Sequence, residues 1–218
     1  MRPRLLDACC CQGGASKGYH DAGFDVVGVD IDPQPRYPFE FHRADVLEVL
    51  RACDPYPEVL GWRFDAIHAS PPCQAHSGTQ RIQQNDHPDL IGEMRELLER
   101  TGLPYVIENV PGAPLRDPVE LCGEMFGLRT YRHRLFETNW PLTVPLHPQH
   151  VAPQAKMGRP VGEGEFMHVV GNFSNVALAR EIMGMPWASR DGLREAIPPV
   201  YTEFIGSQLL AHVCAVAA

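Results

Sequence analysis

Leu5-Leu6-Asp7-Ala8-Cys9-Cys10-Cys11-Gln12-Gly13-Gly14 is the stretch on which the fold turns. Leu5 to Cys9 reads as a short apolar strand that runs into a glycine turn at Gln12-Gly13-Gly14. A helix from about Ala15 to Ala22, closed by Gly23, is expected to follow. Such a turn lets a ligand approach the backbone, and the helix N-terminus favours polar or anionic groups. The spacing is not a clean G-x-G-x-x-G, because Cys11 stands where the first glycine would be. Asp25-Val26-Val27-Gly28-Val29-Asp30 reads as the second strand, and its terminal acid is placed to accept hydrogen bonds from ribose hydroxyls.

Outward from this start, Phe64 to Ala69 and Tyr105 to Val110 read as two further strands. Between them Leu90, Ile91, Met94, Leu97 and Leu98 share one helical face, and Gly102 and Pro104 end that helix. Short apolar runs alternating with amphipathic stretches indicate an α/β domain with a parallel sheet. From 141 to about 160 the chain is rich in Pro, His and Gln and reads as irregular. Val176 to Met183 is expected to be a short helix, and Pro198 to Val213 a final one.

A length of 218 residues suits a single domain, 1–218. With 44% hydrophobic and 21% charged residues, a disordered or fibrous chain is excluded. No apolar run approaches the roughly 18–20 residues of a membrane span. Met1 to Asp7 lead straight into the first strand, so a soluble, cytoplasmic protein with no membrane partner is expected. The net charge of −8 argues against a nonspecific coat for nucleic acid, yet leaves room for a local basic cleft. All of the 19 basic residues except Lys17 and Lys156 are arginines, the better fork for phosphates and base edges. The seven cysteines include no paired C-x-x-C motifs, so reduced thiols and no metal are expected.

Three further segments carry chemistry. Ser70-Pro71-Pro72-Cys73-Gln74 follows a strand at the carboxyl edge, where open α/β sheets bind ligands. Two prolines stiffen that loop, and Cys73 beside Gln74, His76 and Ser77 is a candidate nucleophile. Glu108-Asn109-Val110 ends the next strand at the same edge, where partial desolvation would raise the pKa of Glu108 and let it deliver a proton. Arg132-His133-Arg134 alternates like a strand, so both guanidinium groups are expected on one face, suited to a phosphate or a base carbonyl.

In their order and spacing these segments resemble the DNA (cytosine-5) methyltransferases over most of residues 5–139 and, more faintly, 196–213. Pro72-Cys73-Gln74 matches that family's nucleophile loop, Glu108-Asn109-Val110 its acid strand, and Arg132 and Arg134 the arginines of its Q-x-R-x-R element. Ile197-Pro198-Pro199 is similar to its last motif. The resemblance implies a Rossmann-like class I α/β methyltransferase fold, with a mostly parallel sheet, helices on both faces and S-adenosylmethionine as cofactor. Asp7, Cys9, Gln12, Gly13 and Gly14 would form the cofactor loop, Asp30 and Ile31 would hold ribose and adenine, and Asp45 the adenine amino group. Ser70, Pro72 and Glu195 complete the implied cofactor set, with Glu195 standing where the family has a cofactor-contacting Asn.

By the same resemblance Cys73 would add to C6 of a cytosine flipped out of DNA, Glu108 would protonate or hydrogen-bond N3, and Arg132 and Arg134 would orient the base. Gln74, Ser77 and Arg81 would belong to a loop that closes over that base. Residues 140–190 would be a reduced target-recognition region and 196–214 a helix returning to the catalytic domain, which implies short or relaxed sequence specificity. Cytosine in RNA, a free cytosine nucleotide, or a catalytically silent binding module stand as alternatives.

Overall fold

The computed structural model describes residues 2–53, 58–72 and 89–216. Cys73, Gln74, Ser77 and Arg81 lie outside the described residues.

The main sheet contains β1 (Arg4–Ala8), β2 (Asp25–Asp30), β3 (Glu40–Arg43), β6 (Ala66–Ala69), β7 (Tyr105–Asn109), β8 (Val119–Leu121) and β9 (Arg134–Thr138). Two short strands, β4 (Glu58–Val59) and β5 (Trp62–Arg63), pair separately. The order across the seven-stranded sheet is β3-β2-β1-β6-β7-β9-β8. Pairing is parallel from β3 through β7, and β9 inserts antiparallel between β7 and β8. The helices are α1 (Gly14–Ala22), α2 (Val46–Ala52), α3 (Ile91–Thr101), α4 (Val176–Met183), α5 (Arg190–Glu195) and α6 (Pro199–Val216).

Period-two alternation along the central strands feeds two apolar layers, which is why their sequences are nearly continuous hydrophobic runs. Leu5, Val26, Ala66 and Val106 pack with Tyr19 of α1 and with Tyr201, Ile205 and Leu209 of α6. Leu6, Val27, Ile67 and Ile107 pack on the other side with Val49 and Leu50 of α2 and Met94 and Leu98 of α3. Helices therefore cover both faces of a mostly parallel sheet, as the sequence indicates. At Gly18 a Cβ would lie 2.0 Å from the Pro199 carbonyl oxygen, so only glycine lets α1 and α6 meet backbone to backbone. Thr202 Oγ1 fixes that contact by donating to the Ala15 carbonyl at 2.9 Å.

A third apolar cluster lies beyond the sheet. Met167, Val169 and Phe173 pack on Ala179, Ile182 and Met183 of α4 and on Leu193 of α5. The helix at Val176–Met183 is the one the sequence indicates, capped by the Asn175 side chain accepting from Leu178 N–H. The short α5, capped by Ser189, is an addition that sequence pattern did not reveal. Among the described residues no helix is long and apolar enough to cross a membrane.

The placement of β9 bears directly on the sheet's carboxyl edge. Its antiparallel register pairs Leu135 with Asn109 and Phe136 with Glu108, so its first residue, Arg134, arrives at the carboxyl end of β7. Farther along, the buried Arg95 of α3 grips Glu137 through two hydrogen bonds of 2.7 and 2.8 Å. That charge-assisted fork anchors the strand carrying Arg134 to the helical layer.

Candidate active site

The carboxyl ends of β1, β2, β6 and β7 surround a cavity of about 430 Å³. Its wall includes Cys9, Cys10, Cys11, Gln12, Gly14, Asp30, Ile31, Asp45, Ser70, Pro71, Pro72, Glu108, Arg134 and Glu195. Most of the site residues indicated by the sequence thus meet in one space.

The glycine turn is built from left-handed backbone at more than its glycine. Gly13 has φ 79° and precedes α1, while Cys9 and Cys11 hold positive φ of 65° and 46° without glycine's freedom. A non-glycine residue in this region costs about 1–2 kcal/mol, so the neighbouring structure must impose the conformation. Asp30 contributes: its carboxylate accepts from Cys11 N–H at 2.9 Å and from Asp32 N–H at 3.0 Å. Burial and the neighbouring carboxylates push the Cys9, Cys10 and Cys11 thiols well above their ordinary range, so all three are neutral thiols.

Asp7 stands behind the turn. It is fully buried, accepts a hydrogen bond from Ser16 Oγ, and leaves its Oδ1 without a partner. Ser16 Oγ also lies 2.7 Å from the Tyr37 hydroxyl. Asp7 is not part of the cavity wall; it supports the loop from beneath. Burial first, and then the charges of Asp30 and Glu108, raise its pKa to about 7. The folded chain therefore keeps a proton on Asp7 that the unfolded chain loses, and stability drains away as pH rises from about 4 to about 7. Asp7→Asn removes this term. Relative to the parent, the variant is expected to gain roughly 3 kcal/mol between about pH 5 and about pH 8, read from urea unfolding at both pH values. An equal difference at both would refute the ionisation.

Gln12 is committed to structure as well. Its amide donates to Ser189 Oγ at 2.9 Å and accepts from Ser189 N–H at 2.8 Å, and its carbonyl accepts from Trp187 Nε1 at 2.7 Å. The loop is thereby tied to α5, whose last residue is Glu195. Glu195 is exposed at the cavity rim, and partial desolvation raises its pKa. Asp45 caps α2 by accepting from Leu47 N–H at 2.8 Å while lining the cavity. Ser70 Oγ donates to the Cys9 carbonyl at 3.1 Å, joining the two loops.

Glu108 is buried at the end of β7, with Arg134 Nε 2.8 Å from its Oε1. The guanidinium N–H is not aligned for a hydrogen bond, so Oε1 keeps an unused lone pair. Desolvation raises the Glu108 pKa against the opposing pull of Arg134 and Arg132. A buried carboxyl with a raised pKa therefore faces the cavity beside the Arg134 guanidinium. Asn109, to which the sequence assigns no role, donates from Nδ2 to the Pro71 carbonyl at 3.0 Å. It holds the Pro71-Pro72 segment beside Glu108, and Cys73 is the next residue of the chain.

Arg132 departs from expectation. The strand begins only at Arg134, and Arg132 has φ 39°, so the two guanidinium groups do not share a face. That of Arg132 is buried and donates to the carbonyls of Val169, Arg194 and Ala196 at 2.7–2.9 Å. Tyr201 Oη donates to the Arg132 carbonyl at 2.9 Å. Arg132 thus braces the segment that brings Glu195 and Ile197 to the cavity. Arg134 alone of the two lines that wall.

The chemistry of the wall suits S-adenosylmethionine. Among the described residues, Asp30, Asp32, Asp45 and Glu195 line it together with Glu108, and Arg134 is the one arginine or lysine on the wall. An anionic wall suits a sulfonium with its ammonium group and repels the pyrophosphate of a dinucleotide. Ile31, 63% exposed, and Val46, Leu47 and Leu90 give an apolar surface for an adenine ring, with Asp30 in reach of a ribose. The residues fit the group.

No protein-family model and no curated protein matches the sequence. Solved structures do. A protein described as a DNA modification methyltransferase encoded within an E. coli prophage superposes with a TM-score of 0.63 at 14% identity, covering 98% of this chain and 99% of that one. The fold is that of a class I S-adenosylmethionine-dependent methyltransferase. The Dnmt2 methyltransferase of S. pombe gives 0.61 at 13% identity, covering 98% of this chain and 99% of that one. The Entamoeba histolytica methyltransferase EhMeth gives 0.60 at 11% identity over 100% and 99%. In this fold β9 is the strand inserted antiparallel between β7 and β8.

Proposed function

We propose that this protein transfers a methyl group to C5 of cytosine in DNA through a covalent Cys73–C6 intermediate, with short or relaxed sequence specificity. The observation that carries the reading is the meeting of a buried Glu108, its pKa raised by desolvation, and Arg134 with an anionic, partly apolar cavity, beside the Pro72 that leads into Cys73.

Cytosine C5 is a poor nucleophile until the ring is disturbed. Addition of the Cys73 thiolate to C6 pushes electrons toward N3, where the Glu108 proton meets them, and C5 becomes enamine-like. Arg134 stays beside Glu108 to hold the base and stabilise the charge left on the carboxylate. S-adenosylmethionine, when bound, supplies the electrophilic methyl group. Loss of the C5 proton to a base then expels the thiolate and restores the ring. Asp30 and Ile31 fit the ribose and adenine of that cofactor, and Gln12, Asp7 and Arg132 keep the surrounding loops in place. In a duplex the target base must first leave the stack.

The acceptor is tested by incubating the protein with tritiated S-adenosylmethionine and, separately, duplex DNA, single-stranded DNA, RNA and dCMP, followed by nucleoside mass analysis. The expected result is 5-methyldeoxycytidine from DNA. Its rate should fall at least about tenfold from 50 to 200 mM salt, as phosphate contacts dictate. Methylation of dCMP alone, insensitive to salt, would move the acceptor to a free nucleotide. No transfer to any of them would leave a binding module.

A further inference from the structure

Outside the cavity, Cys122, His133, His147 and His150 bring a sulfur and ring nitrogens together, with one ligand atom of each within 4.8 Å of all the others. His133 Nε2 lies 3.1 Å from His147 Nε2 and 2.9 Å from His150 Nε2. Imidazoles do not gather this way for their own sake. A neutral ring carries one N–H, so a single proton can bridge only one nitrogen pair and the remaining lone pairs face each other. A divalent cation at their centre would accept all of them. A tetrahedral zinc with its usual bond lengths holds its nitrogen ligands about 3.3 Å apart, close to the 3.1 and 2.9 Å separations of His133 Nε2 from the other two rings.

The surroundings have the features of a built site. His150 Nδ1 lies 2.5 Å from Glu124 Oε2, a partner that would fix the tautomer and turn the Nε2 lone pair inward. Glu120 Oε1 lies 3.5 Å from His147 Nε2 and 4.0 Å from His133 Nε2, an outer carboxylate able to balance residual positive charge. Cys122 is buried, and its sulfur accepts from the Met125 backbone N–H, which fixes where the sulfur points. Cysteine spacing gives no sign of this set, because three of its members are histidines and the pattern is C-x10-H-x13-H-x2-H.

We propose that these four side chains bind one structural zinc ion. The site is closed by four protein ligands, which suits structure and leaves no position for substrate. It ties together three pieces of chain: the end of β8, the entry to β9, and the Pro-rich segment after β9 that carries His147 and His150. His133 stands between Arg132 and Arg134, so the clamp sets the backbone from which Arg134 reaches Glu108. It takes over, for a segment poor in regular structure, the work that a larger hydrophobic core would do.

The test uses tag-free, full-length protein produced in zinc-supplemented medium and desalted, with elemental analysis by mass spectrometry. About one zinc per chain is expected, together with a lower melting temperature after treatment with a strong chelator that zinc restores. Cobalt in place of zinc should show visible tetrahedral bands and a near-ultraviolet thiolate-to-cobalt band. Cys122→Ser should lose that thiolate band, and His147→Ala with His150→Ala should lower metal affinity at least about tenfold. Metal-free wild-type protein that takes up neither zinc nor cobalt would overturn the proposal. So would metal retained unchanged by both variants.

Discussion

Replacing Cys73 by Ala is expected to abolish methyl transfer, by about 10³-fold or more, while calorimetry finds S-adenosylmethionine bound as tightly as before. The sulfur is asked to do one thing that no neighbour can do, which is to form and release the bond to C6. The other thiols near the cavity, Cys9, Cys10 and Cys11, are held neutral by burial and by nearby carboxylates. They make poor substitutes, since the thiolate is the reactive form. In the proposed mechanism the cofactor is held by other residues that line the cavity, Asp30 and Ile31 among them, so binding and turnover should separate cleanly. A variant retaining a tenth or more of the parental rate would show that this residue is not the nucleophile.

Glu108→Gln should lower kcat by roughly 10²–10³-fold, the range of a lost general acid. Glutamine keeps the shape and can still hydrogen-bond N3, but it has no proton to give. The raised pKa of Glu108 sets the sign of the pH dependence. Its protonated form is the competent one, so the parental rate should fall as pH rises through that pKa, and this alkaline limb should vanish from the residual activity of the variant. Arg134 loses its carboxyl partner at the same time. A melting curve must therefore accompany the kinetics, because breaking a buried pair can cost about 3–5 kcal/mol. A folded variant with unchanged kcat would remove Glu108 from the chemistry.

The scaffold was the most legible part of the sequence. Buried parallel strands advertise themselves as apolar runs, so β1, β2, β6 and β7 were visible at nearly their true bounds. The amphipathic face of α3 and the turn at Gly102 marked that helix equally well. Edge elements were not visible. β3 is Glu-Phe-His-Arg, half exposed and without a clear apolar face, and β8 has only three residues. Pairing partners far along the chain decide such segments, and local pattern carries no record of them.

The site shows the same division. Residue types at the sheet edge pointed to Asp30, Glu108 and Arg134, and the fold gathers those three around one cavity. Arg132 was misread because alternation presumes a strand, whereas its positive φ turns the side chain onto three carbonyls. In sequence Gln12 reads as part of the glycine turn and Asn109 as an amide at a strand end. Their work, binding α5 and the Pro71 carbonyl, depends on contacts that only folding creates.

Cys73–C6 bond formation is the step to observe directly. DNA carrying 5-fluorodeoxycytidine, incubated with the protein and S-adenosylmethionine, should leave a stable covalent complex, because fluorine cannot depart from C5 as a proton does. Mass spectrometry of the digested complex should find the nucleotide on the peptide containing Cys73. An active preparation that methylates ordinary DNA yet forms no adduct, or forms it on another cysteine, would contradict the mechanism.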